Sequence, residues 1–502
     1  MEPWYLDKRI SNIPGEARSR SMALSRHARI RVLFFALITC FSEAQNVPAT
    51  FIDLPSDGEI RKILAERVRA LGGSPDGIGI VIGIIGPKGR RVIAYGHSST
   101  NDRRAFDGKT VFEIGSVSKV FTALLLTEMA RTGEVALTDP VSKYLAVGVK
   151  TPQYNGHPIT LLDLASHTSG LPFMADELPV WNAPKTAKPS TAKLYQFLAR
   201  YQLTRNPGAE WDYSNLGYWL LGEALSSRAG TNYEDLLRKR VITPLKLKST
   251  AVTLAPPLKA RMAVGHNAVL KPAPLFSSVS MYDAMPSAGG LSSSVDDLLQ
   301  LLSVAMGYER PPLAASITAM LSERRPMGSN QQAVGWVVLG KGEDQLVMQE
   351  GSTWGYSSYV VWDPARRVGA VALSNQLASV GDIALHLLRP NIPLEQTIVK
   401  KHIETALSST VFDGCTGQYE VPDEGVFNVT REGDFLMLHV PVSWGLPKFR
   451  LHPESRSDFF VAELPLRVTF QTDSKGRISG LLLYPPRGQH ALPAKKIVQP
   501  TE

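Results

Sequence analysis

The chain has 502 residues, of which 44% are hydrophobic and 20% are charged, an ordinary globular composition with length enough for more than one domain. The net charge of +8 comes from basic residues that are scattered and not gathered in patches, which argues against nucleic-acid binding. Two cysteines, Cys40 and Cys415, are too few for a disulfide framework. No cluster of His and Cys has metal-ligand spacing, so the sequence predicts neither a metal nor another cofactor.

The N-terminus is predicted to be a signal segment. A basic stretch at 25–31 is followed by an apolar run at 32–41 that is too short to span a bilayer, and small residues then lead to Gln45. We therefore expect residues 1–44 to be removed and the mature protein to be exported, to the periplasm or outside the cell. The alternative to cleavage is that the segment stays as a membrane anchor, or that Cys40 carries a lipid. Membrane association is expected only in these two cases.

The predicted elements place strands on both sides of a helical middle. A helix is expected over 56–73 and two strands within 77–96. Helical patterns follow at 117–132, 160–166, 191–201, 214–229, 233–240 and 295–306. Strand patterns return at 334–339, 345–349, 357–362 and 368–374, and a further helix is expected at 378–388. The predicted fold class is therefore α+β, with one antiparallel sheet built from both ends of the domain, flanked by helices, and a helical insertion between them.

The C-terminal part has a different pattern. Pro390 and Pro393 mark a boundary, and residues 411–497 are short β-type runs separated by turn residues. Regular short strands predict a small antiparallel, barrel-like all-β domain. The predicted domains are thus 45–392 and 405–502, and the second has no catalytic pattern.

A serine and a lysine stand three residues apart in "VFEIGSVSKVFTALLL". Ser116 and Lys119 would share one face of the helix that begins there, because residues i and i+3 are neighbours on a helix surface. A lysine whose pKa is lowered by burial can take the proton of a serine hydroxyl and so activate it as a nucleophile. The amino end of the helix would favour the negative charge that develops.

This spacing alone is not specific. The stretch "PSTAK" repeats it at Ser190 and Lys193, where the serine is well explained as a helix N-cap. On spacing alone, an N-cap role also remains open for Ser116.

Three blocks in order make the pattern more specific. "FEIGSVSKVFTALLL", "LLDLASHTSGLP" and "PGAEWDYSNLGYWLLG" together resemble the penicillin-recognising serine hydrolases. That superfamily includes the class C β-lactamases and the low-molecular-mass penicillin-binding proteins. The resemblance covers roughly residues 50 to 390 and points to the class C-like D-alanyl-D-alanine carboxypeptidase/endopeptidase branch. The tail resembles the lipocalin-like β-domain often appended to these hydrolases.

The resemblance implies roles for individual residues. Ser116 would be acylated, Lys119 would act as the base, and Tyr213 of "DYSN" would relay a proton to the leaving group. Asn215 would donate a hydrogen bond to the substrate, with a helix cap as the alternative role. His167 in "SHTSGLP" is expected to stabilise a loop.

The third family motif is altered in this chain. The family has Lys or His, any residue and then Gly, whereas "MQEGST" has Gln349 before Gly351. The oxyanion hole would use the backbone N–H groups of Ser116 and Ser352, which need no particular side chain. A neutral Gln349 weakens proton transfer and the attraction of a substrate carboxylate, and Glu350 would repel anions if it faced the site.

These expectations describe a serine acyl-hydrolase acting on β-lactams or D-alanyl peptides, so its partner would be a small molecule or a peptidoglycan-derived peptide. A carboxylesterase on the same scaffold is one rival and is favoured by the missing cation. A catalytically inactive binding or scaffolding protein is the other.

Overall fold

The computed structural model describes residues 54–73, 77–98, 104–174, 190–273, 285–395, 402–422, 424–441, 448–484 and 491–497. The predicted signal segment lies outside these residues, so export and cleavage stay predictions. Within the described ranges, no helix is both long and apolar enough to cross a membrane.

In the first part of the chain, the described residues form twelve strands and eleven α-helices. The strands are β1 (Ile80–Gly86), β2 (Gly89–Tyr95), β3 (Val111–Glu113), β4 (Gln153–Tyr154), β5 (His157–Pro158), β6 (Ser292–Ser294), β7 (Arg324–Met327), β8 (Asn330–Ala333), β9 (Val337–Leu339), β10 (Leu346–Ser352), β11 (Ser357–Asp363) and β12 (Val368–Ser374). The helices are α1 (Asp57–Ala70), α2 (Ser118–Arg131), α3 (Leu161–Ala165), α4 (Thr191–Arg200), α5 (Asn215–Ala229), α6 (Tyr233–Leu237), α7 (Pro256–Lys259), α8 (Pro286–Gly289), α9 (Val295–Ala305), α10 (Ala314–Ala319) and α11 (Gly381–Leu388).

Among the described residues, eight of these strands form one antiparallel sheet in the order β2-β1-β12-β11-β10-β9-β8-β7. Strand β1 pairs with β12 from Ile80 opposite Ser374 to Ile85 opposite Gly369, so the sheet joins both ends of the domain. Every residue of β1, β11 and β12 is buried, because helices cover both faces of the sheet. The predicted α+β architecture is confirmed.

Each face of the sheet has its own apolar core. The smaller core lies under α1 and α11 and includes Ile60, Leu64, Val68, Ile383 and Leu387. The larger core lies around α2, α5 and α9 and includes Phe121, Leu125, Leu220, Val295 and Leu299. The larger core holds the helix that begins beside Ser116, so the candidate site lies at the boundary between the sheet and its helical insertion.

The hairpin β7–β8 was not expected from the sequence. Its strand β7 reads "RRPM", and Pro326 removes a backbone N–H donor, which is unfavourable inside a sheet. The structure places β7 at the edge of the sheet, where one side of the strand needs no partner. The hairpin extends the sheet beyond β9, the strand next to β10.

A buried ion pair fixes α1 to α11. Arg67 Nη1 donates to Asp382 Oδ1 at 2.9 Å, and the two side chains are 5% and 1% exposed. We expect Asp382→Ala to lower the free energy of unfolding by about 3–5 kcal/mol, because Arg67 is left as an uncompensated buried charge. Urea unfolding measures the loss. Glu66→Ala, which breaks the exposed α1 pair with Lys62, should cost less than about 1 kcal/mol, and equal losses would contradict the argument.

The C-terminal part begins with a short helix, α12 (Ser409–Cys415), and then forms a barrel. In the described residues eight antiparallel strands form a closed barrel. The sequence predicted the antiparallel, barrel-like all-β class of this domain, without the number of strands. They are β13 (Gly417–Val421), β14 (Gly425–Glu432), β15 (Phe435–His439), β16 (Phe449–Pro453), β17 (Asp458–Phe460), β18 (Arg467–Thr472), β19 (Ile478–Tyr484) and β20 (Leu492–Ile497). The domain limits proposed from the sequence stay predictions.

The interior of the barrel is filled by its own side chains. Aliphatic side chains make up most of this core, and five almost completely buried aromatic rings pack among them: Tyr419, Phe427, Phe449, Phe459 and Phe470. Strand β20, "LPAKKI", had no recognisable strand pattern, yet it pairs with both β13 and β19 and closes the barrel. The closed, packed interior makes this part of the chain a compact body with a core of its own.

Candidate active site

Ser116 and Lys119 meet at the start of α2. Ser116 lies in the 3₁₀ turn Gly115–Val117, which runs directly into the helix, and Lys119 belongs to the first helical turn. Lys119 Nζ is 3.0 Å from Ser116 Oγ. The side chain of Lys119 is fully buried among the apolar residues of α2, while Ser116 is partly exposed. The structure thus brings together the two residues that their spacing predicted to be neighbours.

The amine of Lys119 is enclosed by oxygen atoms. Besides Ser116 Oγ, Nζ lies 2.7 Å from Asn215 Oδ1 and 2.5 Å from the carbonyl oxygen of Ala288. Burial holds the pKa of the Lys119 ammonium well below its ordinary value, because the charged form loses its hydration inside the protein. The fold therefore favours the unprotonated amine, the form that can accept a proton.

Tyr213 completes the group around the serine. Its hydroxyl lies 2.5 Å from Ser116 Oγ, and Lys119 Nζ is 4.8 Å from the centre of its ring. The N-cap of α5 is the next residue, Ser214, whose Oγ accepts the backbone N–H of Gly217 at 2.8 Å. The capping role considered for Asn215 thus belongs to Ser214, and the Asn215 side chain contacts Lys119 instead.

His167 supports the segment that carries Tyr213. Its Nδ1 accepts the backbone N–H of Ser214 at 3.1 Å, and its carbonyl oxygen accepts the N–H of Asp212 at 2.6 Å. The imidazole lies against the Tyr213 ring with centroids 4.4 Å apart. Burial holds the pKa of His167 well below its ordinary value, because the charged imidazolium would lose its hydration, so Nδ1 keeps its lone pair for Ser214. This is the loop-stabilising role that its sequence block predicts.

Strand β10 places the altered third motif beside the site. Gln349 is 1% exposed, and its Nε2 donates to the carbonyl oxygen of Gly335 at 3.4 Å. Its Oε1 accepts the backbone N–H of Glu350 at 3.2 Å, so both ends of the amide have partners within the protein. Because side chains alternate along a strand, Glu350 shares a face with Met348, which belongs to the core under α1 and α11. The repulsion considered for Glu350 therefore does not arise at Ser116.

The backbones of the turn before α2 and of β10 run unusually close together. A Cβ on Gly351 would overlap the carbonyl oxygen of Ile114 and lie 2.7 Å from the Ser116 nitrogen. A Cβ on Gly115 would lie 2.7 Å from the Ser352 nitrogen, and Gly115 also has a left-handed φ of +48°. The two glycines thus let the backbone at Ser116 and the backbone at Ser352 lie close together, and an oxyanion hole that used both N–H groups would need this proximity.

Gly115 was not among the site residues predicted from the sequence, although it stands directly before the candidate nucleophile and lies against Ser352. We expect Gly115→Ala to lower the acylation rate by about 10²–10³-fold, the effect of losing one oxyanion donor, because the new methyl group displaces Ser352. Stopped-flow acylation with a chromogenic substrate measures this. The control is Gly133→Ala, which has φ +77° but open space around its Cβ. It should cost stability without slowing acylation, and equal rates for the two variants would refute the backbone argument.

The described residues contain no group of three or more His, Cys, Asp or Glu side chains that could hold a metal ion. What the site holds is a serine hydroxyl within hydrogen-bond distance of an amine and a phenol, beside the closely approaching backbones of the α2 turn and β10. This arrangement suits nucleophilic attack on a carbonyl carbon.

The chain is similar to known proteins over most of its first part. A family model described as Beta-lactamase matches residues 64–389. The D-alanyl-D-alanine-carboxypeptidase/endopeptidase AmpH of Escherichia coli K12 is 27% identical over 361 residues, which cover 68% of this chain and 90% of the relative. Penicillin-binding protein 4* of Bacillus subtilis is 24% identical over 401 residues, covering 75% of this chain and 86% of the relative.

Solved structures agree with the sequence relatives. A β-lactamase/D-alanine carboxypeptidase from Yersinia pestis, crystallised with citrate, matches with a TM-score of 0.55 and 25% identity, covering 64% of this chain and 93% of that one. A class C β-lactamase matches with a TM-score of 0.58 at 21% identity, which bears on the fold alone. The family model spans more than half of the chain, so the resemblance seen in the three sequence blocks is confirmed. The chain belongs to the β-lactamase family and is a serine hydrolase of the class C β-lactamase and D-alanyl-D-alanine carboxypeptidase type.

Proposed function

We propose that this protein is an exported serine acyl-hydrolase that forms an acyl-enzyme on Ser116 and cleaves the amide bonds of β-lactams or D-alanyl peptides. The observation that carries the proposal is the position of Ser116 Oγ, within hydrogen-bond distance of both Lys119 Nζ and the Tyr213 hydroxyl. Relatives named as β-lactamase and as D-alanyl-D-alanine carboxypeptidase support the amide class of substrate. Export rests on the predicted signal segment at 1–44.

Acylation begins with the proton of Ser116. A neutral amine has two N–H groups and one lone pair, and Lys119 has two fixed acceptors in Asn215 Oδ1 and the Ala288 carbonyl. The lone pair is left for the Ser116 hydroxyl, so Nζ accepts its proton as Oγ attacks the substrate carbonyl carbon. The N–H groups of Ser116 and Ser352 stabilise the negative charge that forms on the carbonyl oxygen.

Collapse of the tetrahedral intermediate breaks the carbon–nitrogen bond, and the leaving nitrogen needs a proton. Tyr213 donates it from its hydroxyl and becomes a phenolate, which takes a proton back from the Lys119 ammonium; Lys119 Nζ lies over the Tyr213 ring, 4.8 Å from its centre. Water then attacks the acyl-enzyme ester and gives one proton to Lys119 or Tyr213; that proton passes to Ser116 Oγ as the bond to the acyl carbon breaks and the acid leaves. The net reaction is hydrolysis of one amide bond, with Ser116 regenerated.

A carboxylesterase is the second candidate, and Gln349 is the observation that favours it. The Gln349 amide is neutral and already bonded at both ends, so this position supplies no cation for a substrate carboxylate. An ester also has an alkoxide leaving group, which depends less on proton donation than an amine does.

The inactive-scaffold alternative fits the site less well. A fully buried lysine destabilises the folded state at neutral pH, because the unfolded chain gains by protonating it. In a protein without catalytic activity, an apolar residue at this position would avoid that destabilisation. The presence of a buried Lys119 in contact with Ser116 and Tyr213 therefore favours an enzyme.

Intact-mass spectrometry tests the proposal directly. The protein is incubated separately with a penicillin, a neutral p-nitrophenyl ester and a peptide ending in D-Ala-D-Ala. We expect a transient mass increase equal to the acyl group with the penicillin or the peptide, located on Ser116 by peptide mapping. An adduct from the ester alone would support the esterase, and no adduct from any of the three would overturn the enzymatic proposal.

Gln349→Lys should change substrate preference. A charge-assisted hydrogen bond is worth roughly 1.5–3 kcal/mol, so a lysine at this position should raise kcat/KM for a penicillin or D-alanyl peptide by about 10- to 100-fold. A neutral ester makes no such contact and should gain less. Gln349→Met is the control, since it removes the amide without adding charge. If the ratio of anionic to neutral activity is the same in wild type and Gln349→Lys, this position does not contact the substrate carboxylate.

A further inference from the structure

Trp354 lies between the active-site hairpin and the C-terminal barrel. It belongs to the turn that joins β10 to β11, two residues after Ser352. Its ring meets Phe449 of the barrel edge-on, with centroids 6.4 Å apart and planes at 70°. The same side chain also packs against the large core around α2. One residue of the turn therefore contacts both apolar cores.

The rest of this turn is bound to the hydrolase part of the chain. The Tyr356 hydroxyl donates to the carbonyl oxygen of Ala263 at 2.6 Å. The carbonyl oxygen of Gly355 accepts the backbone N–H of His266 at 3.2 Å. These bonds fix one end of the turn, and Trp354 carries the contact to the barrel.

Phe449 provides a rigid surface for that contact. It is the first residue of β16 and is 2% exposed, within the apolar core of the barrel. The contact with Trp354 therefore rests on a side chain held in place by the packed core of the barrel.

We infer that the barrel helps to position the Ser352 N–H for catalysis through the contact between Trp354 and Phe449. This inference rests on the proposed function, since it takes Ser352 as an oxyanion donor. Such a donor must lie about 2.7–3.1 Å from the developing oxyanion, so a small shift of the turn weakens the hydrogen bond in the transition state more than in the ground state. Trp354 and Phe449 are thus positioning residues that act through Ser352.

A pair of barrel variants tests this in the full-length protein. Phe449→Leu shortens the side chain that meets Trp354, and Phe470→Leu makes the same change among rings inside the barrel, where Phe470 contacts Tyr419 and Phe459. Both should lower the Tm. We expect only Phe449→Leu to lower kcat for acylation, by about tenfold with KM changed less than twofold, a fraction of the full effect of losing an oxyanion donor.

A second measurement separates positioning from simple destabilisation. A boronic acid forms a tetrahedral adduct that mimics the oxyanion, so its affinity should fall by the same factor as kcat in Phe449→Leu and stay unchanged in Phe470→Leu. Trp354→Phe should keep most of the activity, and Trp354→Ala should reproduce the loss.

The outcomes distinguish this inference from the proposed function. If Phe449→Leu matches Phe470→Leu in kcat and in boronate affinity, while the wild type is acylated normally, the positioning role is wrong and the proposed function stands. If the wild type forms no adduct with any acyl donor, the proposed function falls and the inference falls with it.

Discussion

Ser116→Ala is expected to abolish hydrolysis and covalent labelling while leaving the Tm nearly unchanged. The variant has no Oγ to attack the carbonyl carbon, and Lys119 and Tyr213 have no nucleophile to activate. Ser116 is partly exposed and makes no large apolar contact through its hydroxyl, so little folding energy is lost. Intact mass after incubation with a penicillin and with a phosphonate, together with a thermal melt, measures both effects. Normal turnover by this variant would refute the mechanism.

Ser190→Ala is the matched control, because it alters the second serine with a lysine three residues later. Ser190 is exposed, and its Oγ accepts the backbone N–H of Lys193 at 3.4 Å as the N-cap of α4. We expect a loss of about 1 kcal/mol in stability and unchanged activity. If Ser190→Ala were inactive and Ser116→Ala active, the assignment of the two motifs would have to be exchanged.

Lys119→Met should lower kcat/KM for acylation by about 10²–10⁴-fold, the usual contribution of a general base. In the wild type the base must be unprotonated, and burial lowers the pKa of Lys119 from its ordinary value of 10.5. Acylation should therefore persist at pH values where an exposed lysine is charged, and should fall only as the pH drops through the lowered pKa. A pH profile of kcat/KM that appears only above pH ~10 would contradict a depressed pKa.

The same substitution should change how stability depends on pH. Between the lowered pKa of folded Lys119 and its ordinary value, the unfolded chain binds one proton more than the folded chain, so stability rises with pH. One proton corresponds to about 1.4 kcal/mol per pH unit. Lys119→Met lacks this dependence, so the wild type should gain stability relative to the variant as the pH rises from 7 to 9. Urea unfolding of both proteins at three pH values measures the difference, and parallel curves would show that the folded lysine is charged.

Much of this site could be predicted from the sequence because its residues lie in short, ordered blocks. Ser116 and Lys119 are close in the chain, and helical geometry alone brings them together. The contact of Asn215 with Lys119 joins residues 96 positions apart and was not predicted, since the family resemblance implied only a hydrogen bond from Asn215 to the substrate. Gly115 could not be predicted, because the reason for a glycine there is the close approach of the Ser352 backbone, and no local sequence pattern indicates that contact.

The elements that the sequence did not predict owe their form to tertiary pairing. Strand β7 contains Pro326 and β20 contains two lysines, so neither has the apolar alternation of a strand. Each is a strand because a neighbouring strand supplies its hydrogen bonds. The contact of Trp354 with Phe449 could likewise not be predicted. The C-terminal part has no catalytic sequence pattern, and we infer that it acts on the site only through this packing contact.

The pairing of β1 with β12 has a consequence for how the chain is made. Ile80 is synthesised almost 300 residues before its partner Ser374, so the centre of the sheet cannot close until nearly the whole hydrolase part exists. Until then the apolar segment "IVIGIIG" can pair with β2 on one side only, and its open edge is the kind of surface by which nascent chains aggregate. Pairing over such a distance is also slow, because the long intervening loop must be ordered first. The yield of soluble protein should therefore depend on the time between the synthesis of β1 and its pairing with β12. Slower synthesis or a bound chaperone should raise this yield even if the complete sheet is stable.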